Sequence, residues 1–304
     1  MCKLYIFIYK IIYTNYILID VNQSNDFGNK NIKNLKLLAK LLQSDIMSHM
    51  DTKMKQIVGK VRKACQMYNL IEDGDKIAIG VSGGKDSLTL LTAMATLKHF
   101  YEKKFDIVAI CIDLFDGQSD LTQIEEYCNK LNVPFVRFDS HINRIVFDIR
   151  KEAHPCSLCA NLRRGILNSQ AIQAGCNKVA LGHHADDFVE TLFMSMFYES
   201  RLNTFLPKTK MTNKNLWVIR PMVLCFEKDI ISASKDLPIL FNKCPADKHT
   251  KRQYMKDLIH SLEKDNIKLK EHILSAIMNF DRYNLFDKTK IDNQSQQNGD
   301  NSQN

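Results

Sequence analysis

Residues 76–95 read KIAIGVSGGKDSLTLLTAMA, and the reading of this stretch decides the fold. A short apolar run, Lys76–Val81, ends in Ser82-Gly83-Gly84-Lys85-Asp86-Ser87, and from Leu88 the apolar residues take up helical spacing. An apolar run closed by glycines and followed by that spacing predicts a buried strand feeding a helix through a tight turn. Several backbone N–H groups and the positive end of the helix converge there, which makes a seat for an anion. The turn is not a Walker A loop, which needs glycine six residues before its lysine and Ser or Thr after it. Ile79 and Asp86 stand in those places. Phosphate is thus held without the hydroxyl that positions magnesium for cleavage at the γ-phosphate. Gly83 and Gly84 are expected to let backbone approach phosphate and to take φ > 0 at little cost. Lys85 offsets phosphate charge, Ser82 and Ser87 donate hydrogen bonds, and Asp86 is placed to hold magnesium or orient pyrophosphate.

Outward from this stretch the same alternation recurs. Helical spacing covers Asp51–Leu70, Asp86–Phe100, Ser119–Leu131, Leu162–Ala174 (closed by Gly175) and Ala185–Phe197. Apolar runs mark strands at Ile77–Val81, Asp106–Asp113, Val133–Phe138, Lys178–Leu181 and Trp217–Arg220. Strands alternating with helices of this length predict an α/β fold: a doubly wound parallel sheet, with an N-terminal helix and a small C-terminal helical region. In such a sheet the ligand sits beyond the carboxyl ends of the strands, at the switch point of the strand order.

Composition sets bounds on function. With 304 residues, 45% of them hydrophobic and 25% charged, the chain is long enough for a full globular core. A net charge of +8 suits an anionic partner without demanding one. Nine cysteines without a secretory signal point to a reducing compartment, where thiols serve metals or catalysis. Met1–Asp20 is apolar but is broken by Lys3, Lys10 and Asn15, short of the ~20 apolar residues of a membrane span. Residues 1–46 differ in composition from the rest, so translation is expected to begin near Met47 or Met50. Residues 47–286 are expected to carry the functional domain, and residues 287–304 a polar, disordered tail.

Two further constellations carry chemistry. Gly182-His183-His184-Ala185-Asp186-Asp187-Phe188-Val189-Glu190-Thr191 follows a buried strand, and Asp187 and Glu190 share one helix face. Acids in a first turn also serve the helix dipole alone. The second is Cys156-Ser157-Leu158-Cys159, reached through Pro155. A CxxC is a redox pair, half of a zinc site or part of an iron–sulfur site. Structural zinc usually takes two such knuckles, and no second CxxC exists here, although His154 or His249 is available to complete a Cys₃His set. Cys2, Cys65, Cys111, Cys128 and Cys176 stand in helical or strand-like contexts and Cys225 in a similarly apolar run, and all read as buried thiols. Cys244 differs, with Pro245 after it and Lys243 and Lys248 nearby to favour the thiolate.

SGGKDS resembles the pyrophosphatase loop of enzymes that cleave ATP between its α and β phosphates, and residues 182–191 resemble the GHHxDDxxET signature of the same group. Five features recur in order: SGGKDS, CSLCANLRRG at 156–165, ALGHHADDFVETLFMSMFY at 180–198, VIRPM at 218–222 with EKDI following, and a cysteine eight residues before Arg252-Gln253. Together, over about residues 51–285, they resemble the tRNA 2-thiocytidine synthetases. The resemblance implies ATP-dependent 2-thiolation of cytidine 32 in tRNA, with Asp86 and Asp187 catalytic. It places Mg²⁺-pyrophosphate at Asp187 and Glu190, with His183 near the phosphates. It implies a [4Fe–4S] cluster on Cys156, Cys159 and Cys244, a cytoplasmic homodimer with no membrane association, and sulfur drawn from a cysteine desulfurase. Arg163, Arg164, Arg201, Lys248, Lys251, Arg252 and Lys256 are candidates for tRNA phosphate. The chain departs from the pattern at Phe115–Asp120, which leaves the adenine contacts unassigned, and in having a lone cysteine at 244. A tRNA 2-thiouridine synthetase would normally add paired zinc knuckles, and a lysidine synthetase would not need the cysteines. A non-enzymatic ATP- or redox-sensing iron–sulfur protein would not need both acids.

Overall fold

The computed structural model describes residues 50–151, 155–212, 215–240 and 251–282. The 1–46 segment, His154, Cys244, Lys248, His249 and the 287–304 tail lie outside the described residues. A six-stranded sheet is built from β1 (Asp75–Val81), β2 (Phe105–Asp113), β3 (Phe135–Asp139), β4 (Lys178–Ala180), β5 (Lys208–Lys210) and β6 (Trp217–Ile219). Its order is β3-β2-β1-β4-β6-β5. The chain moves outward from β1 through β2 to β3, then crosses back to β4 on the other side of β1. The order therefore reverses between β1 and β4.

The expectation of a wholly parallel sheet needs one correction. β1 through β4 and β6 are parallel, but β5 pairs antiparallel with β6 along the edge. Its three residues, Lys-Thr-Lys, carry no apolar alternation, so nothing in the sequence marks them as a strand.

Alternation along the strands sends side chains to two layers. Ile77, Ile79 and Val81 of β1 and Ile107, Ala109 and Cys111 of β2 face α1 (Thr52–Met67), α2 (Lys85–Leu97), α3 (Thr122–Lys130) and the segment leading into α6 (Glu227–Ala233). Ala78, Val108, Ile110 and Val179 face α4 (Pro155–Gln173) through its Leu167 and Ala171. A third cluster packs α5 (Ala185–Glu199) with α7 (Lys251–Glu263) and α8 (Leu269–Met278), through Phe188, Val189, Ile259 and Leu274. Beneath the sheet, buried Lys178 sits 2.6 Å from buried Asp75 and donates to the Leu70 carbonyl, tying β4 to the start of β1.

Two helix starts lie three or more residues from expectation. α3 starts at Thr122 rather than Ser119, because Ser119 is held back by the buried Asp113 carboxylate at the end of β2. α4 starts at Pro155 rather than Leu162, so the cysteine pair lies within its first five residues. Proline is favoured at a first helical position, where its missing N–H costs nothing and its φ is already set. Among the described residues no helix is long and apolar enough to cross a membrane.

Candidate active site

The reversal between β1 and β4 brings the two glycine-bearing turns together. Ser82–Gly84 leaves β1, and the 181–184 segment leaves β4. A Cβ on Gly182 would lie 3.2 Å from the Asp86 carbonyl and 3.3 Å from the Ser87 amide, so any larger residue would push the two turns apart by a few tenths of an ångström. Gly83 takes φ +80°, whereas Gly84, at φ −79°, is the extended N-cap of α2. The expectation of positive φ thus holds for Gly83 and is corrected for Gly84. No side chain caps α2, which leaves its first N–H groups turned outward as an anion seat. Ser82 and Ser87 shape the turn: their hydroxyls are 3.2 Å apart, the Ser82 amide donates to Ser87 Oγ, and Ser87 Oγ donates to the Gly84 carbonyl.

A cavity of about 560 Å³ opens over this seat. It is lined by Ser82, Asp86 and Ser87, by His183 and Asp187, and by Ile110, Phe205, Arg220 and Arg252, among others. Of the residues expected at a nucleotide site, Gly83, Gly84, Lys85 and Glu190 are not in its wall. Lys85 pairs with Asp86 at 3.2 Å and with Glu227 at 3.1 Å, and Glu227 also holds Lys256 at 2.7 Å. Burial works against the Lys85 charge, but these carboxylates more than offset it and its pKa is raised. Glu190 is buried behind Asp187, and burial together with the Asp187 charge pushes its pKa up to about 7.

The two histidines have opposite electrostatics. Burial lowers the His183 pKa to about 4, so its ring faces the cavity neutral near pH 7. His184 is also buried, yet its pKa is raised, because Asp186, Asp187 and Asp86 lie 3.5, 3.6 and 3.8 Å away. Of the two rings it is thus His184 whose protonated form the surroundings favour, and it joins the phosphate loop to the helix after β4. Asp187 accepts from the His184 amide and pairs with Arg252 at 2.8 Å, while Arg252 also donates to Thr191 Oγ1. Arg252, like Arg163 and Arg164 a candidate contact for tRNA phosphate, lies in the cavity wall.

α4 forms the cover. Its Ala160, Arg163, Arg164 and Leu167 line the cavity. Cys156 lies four residues before Ala160 and Cys159 four before Arg163, so both thiols continue the cavity-facing stripe one turn upstream. Cys156 is exposed and Cys159 half-buried. Two soft sulfur donors three residues apart on one helix make this pair a sound donor set for iron. The other described cysteines are buried, and burial pushes Cys65, Cys111 and Cys225 up to about 12 and Cys128 to about 11, as inert thiols. Cys244 lies outside the described residues, but both flanks of its segment are tied to the cavity: Leu240 donates to the Gly83 carbonyl, and Arg252 holds Asp187.

Among the described residues no group of three or more His, Cys, Asp or Glu side chains is arranged to hold a metal ion. Mg²⁺ normally takes one or two carboxylates and completes its shell with phosphate and water, so a preformed cage is not required. Asp86 Oδ1 is buried without a hydrogen-bond partner, an oxygen suited to that use. Phe205 carries no motif role in the sequence reading, and Arg220, although it stands in the VIRPM feature, has no assigned role there. Arg220 stands just past β6, where the strand-end rule points. Phe205 comes from a loop with no distinguishing pattern.

Residues 47–262 match the PP-loop domain family. The tRNA-cytidine(32) 2-sulfurtransferase of Geotalea daltonii is 40% identical over 246 residues, covering 78% of this chain and 96% of that protein. The protein of the same name from Coxiella burnetii is 35% identical, covering 77% and 93%. Among solved structures, the U34-tRNA thiolase NcsA from Methanococcus maripaludis with its [4Fe-4S] cluster shares the fold, with a TM-score of 0.60 at 23% identity over 75% of this chain and 78% of that one.

Proposed function

This chain belongs to the PP-loop domain family and, within it, to the tRNA-cytidine(32) 2-sulfurtransferases, and on that premise we propose that it exchanges the C2 oxygen of cytidine 32 in tRNA for sulfur, consuming ATP. The observation that carries the reading is the convergence on one cavity of the phosphate seat, the Asp86–His184–Asp187 network and the cysteine-bearing face of α4.

Oxide is a poor leaving group, so the C2 oxygen must first be activated. The phosphate seat at Ser82–Ser87 holds the β and γ phosphates while the C2 oxygen attacks the α-phosphorus and pyrophosphate leaves. The open N–H groups of α2 serve that departure, and the buried Asp86 oxygen would hold a Mg²⁺ that offsets the pyrophosphate charge. Sulfur at the sulfide oxidation level then attacks C2, and AMP departs with the former carbonyl oxygen. Cys156 and Cys159, with Cys244, would hold a [4Fe–4S] cluster, which when bound offers an iron without a protein ligand, suited to carry sulfide. His183, neutral in the wall, adds no charge that would compete with the phosphate seat. Sulfur supply by a cysteine desulfurase, a homodimeric state and a cytoplasmic site complete the proposal.

The test uses anaerobically purified protein with unmodified tRNA, ATP, Mg²⁺ and sulfide. The expected products are 2-thiocytidine at position 32, AMP and pyrophosphate. Loss of the gene should remove 2-thiocytidine from bulk tRNA and leave 2-thiouridine unchanged. ADP and phosphate as products, or loss of 2-thiouridine instead, would sink the reading.

A further inference from the structure

The cavity has two unlike sides, parted by the phosphate seat. Towards β2 the wall is Ile110, Ile112 and Leu167, an apolar slot. Towards β4 and β6 it is His183, Phe205, Arg220 and Arg252. A nucleotide whose phosphates rest on Ser82–Ser87 sends its base to one side only. The apolar slot suits the adenine, and the other side is left for a second planar group.

Resting on the thiolation reading, we propose that Phe205, Arg220 and His183 form the seat for the unstacked target pyrimidine, with Phe205 and the Arg220 guanidinium as its platform and His183 at its edge. The three form one assembly: the His183 and Phe205 ring centroids are 4.9 Å apart, and Arg220 Cζ lies 5.1 Å from the Phe205 centroid. Phe188 meets Phe205 edge-on at 5.7 Å and fixes its tilt. Arg220 is anchored by one nitrogen, Nη1, which donates to the Leu206 carbonyl at 2.6 Å. Its Nε, and Nδ1 of His183, are buried and make no hydrogen bond to any described residue. A buried polar atom left unpaired is costly, so these two mark where a ligand's polar edge belongs. The neutral His183 ring suits an uncharged base better than a phosphate. Of the cations around Arg220, Arg252 is already committed to Asp187, and Arg164 of α4 lies near enough to disfavour the Arg220 charge. Unpaired bases in RNA are bound in this manner, stacked on aromatic rings and guanidinium planes with their edges hydrogen-bonded.

The experiment uses the full chain and tRNA carrying the fluorescent cytosine analogue pyrrolocytosine at position 32. Binding by the unsubstituted protein should change the analogue's fluorescence. Phe205→Leu should weaken that change about tenfold, while the affinity for radiolabelled ATP stays within threefold. Phe205→Tyr, which keeps the ring, should retain the signal. Phe205 also packs on Phe188, so His183→Gln provides an independent arm and should likewise lose signal but not ATP. If Phe205→Leu loses ATP and keeps the analogue's response, the platform takes adenine and the proposal fails. It fails equally if neither variant changes anything. Unsubstituted protein that retains no tRNA overturns the thiolation reading itself, a result distinct from either of these.

Discussion

Gly83 and Gly84 are adjacent and identical, yet the fold uses them differently. A Cβ on Gly83 would lie 3.1 Å from Leu240 in a left-handed backbone, so Gly83→Ala should cost about 1–3 kcal/mol, read by urea denaturation. At Gly84 the added Cβ meets only Ser82 Oγ at 3.5 Å, and Gly84→Ala should keep the unsubstituted stability while weakening ATP binding. Glu190 gives a second prediction at this scale. Its folded pKa of about 7 lies above the ordinary carboxylate value of 4.5, so the folded protein holds a proton that the unfolded chain has lost between those values. Its contribution to stability therefore declines as pH rises through that window. Glu190→Gln should raise Tm by a few degrees at pH 8 and change it little at pH 5. The sequence shows a double glycine and a DDxxE motif, but φ at one glycine and burial at one acid are tertiary outcomes. Local spacing carries neither. Phe205 lies in a loop without periodicity, and Arg220, although inside the VIRPM feature, showed no role, because only the adjacency of β1, β4 and β6 brings the two to the phosphate loop.

α4 is the element on which the cofactor reading turns. Cys156→Ser and Cys159→Ser should each remove the broad absorption near roughly 400 nm expected of anaerobic protein with thiolate-bound iron. Neither should unfold it, because neither side chain is in the core. Cys225→Ala should keep the colour. Colourless protein with one zinc per chain would refute the cluster. Elsewhere Asp186 braces three elements: from the start of α5 it accepts from the Glu227 amide that opens α6 at 2.7 Å, and it pairs with Lys270 of α8 at 3.0 Å. Its pKa is well below the ordinary range; burial opposes this, and His184, the Glu227 amide and Lys270 prevail. Asp186→Ala should cost about 3–5 kcal/mol in equilibrium unfolding, because it strands a cation and a helix terminus. Most helices and strands were readable from apolar spacing. The start of α4 was hidden because the CSLCANL turn is only weakly amphipathic, and β5 because three polar residues leave no pattern.

Taken whole, the sheet is uneven. β1 and β2 share seven paired positions, whereas β4 pairs with β1 and with β6 over three each, and β6 with β5 over three. The phosphate seat hangs from the long ladder, while His183 and Arg220 hang from the short ones. Fewer rungs mean a lower free energy of local opening. Amide hydrogens of Ala180 and Ile219 should therefore exchange with deuterium at least about tenfold faster than those of Ile79 and Ala109, as read by NMR. One half of the molecule would then stay rigid while the other breathes. A polynucleotide far bulkier than ATP could enter by straining the compliant wall, without loosening the grip on the triphosphate.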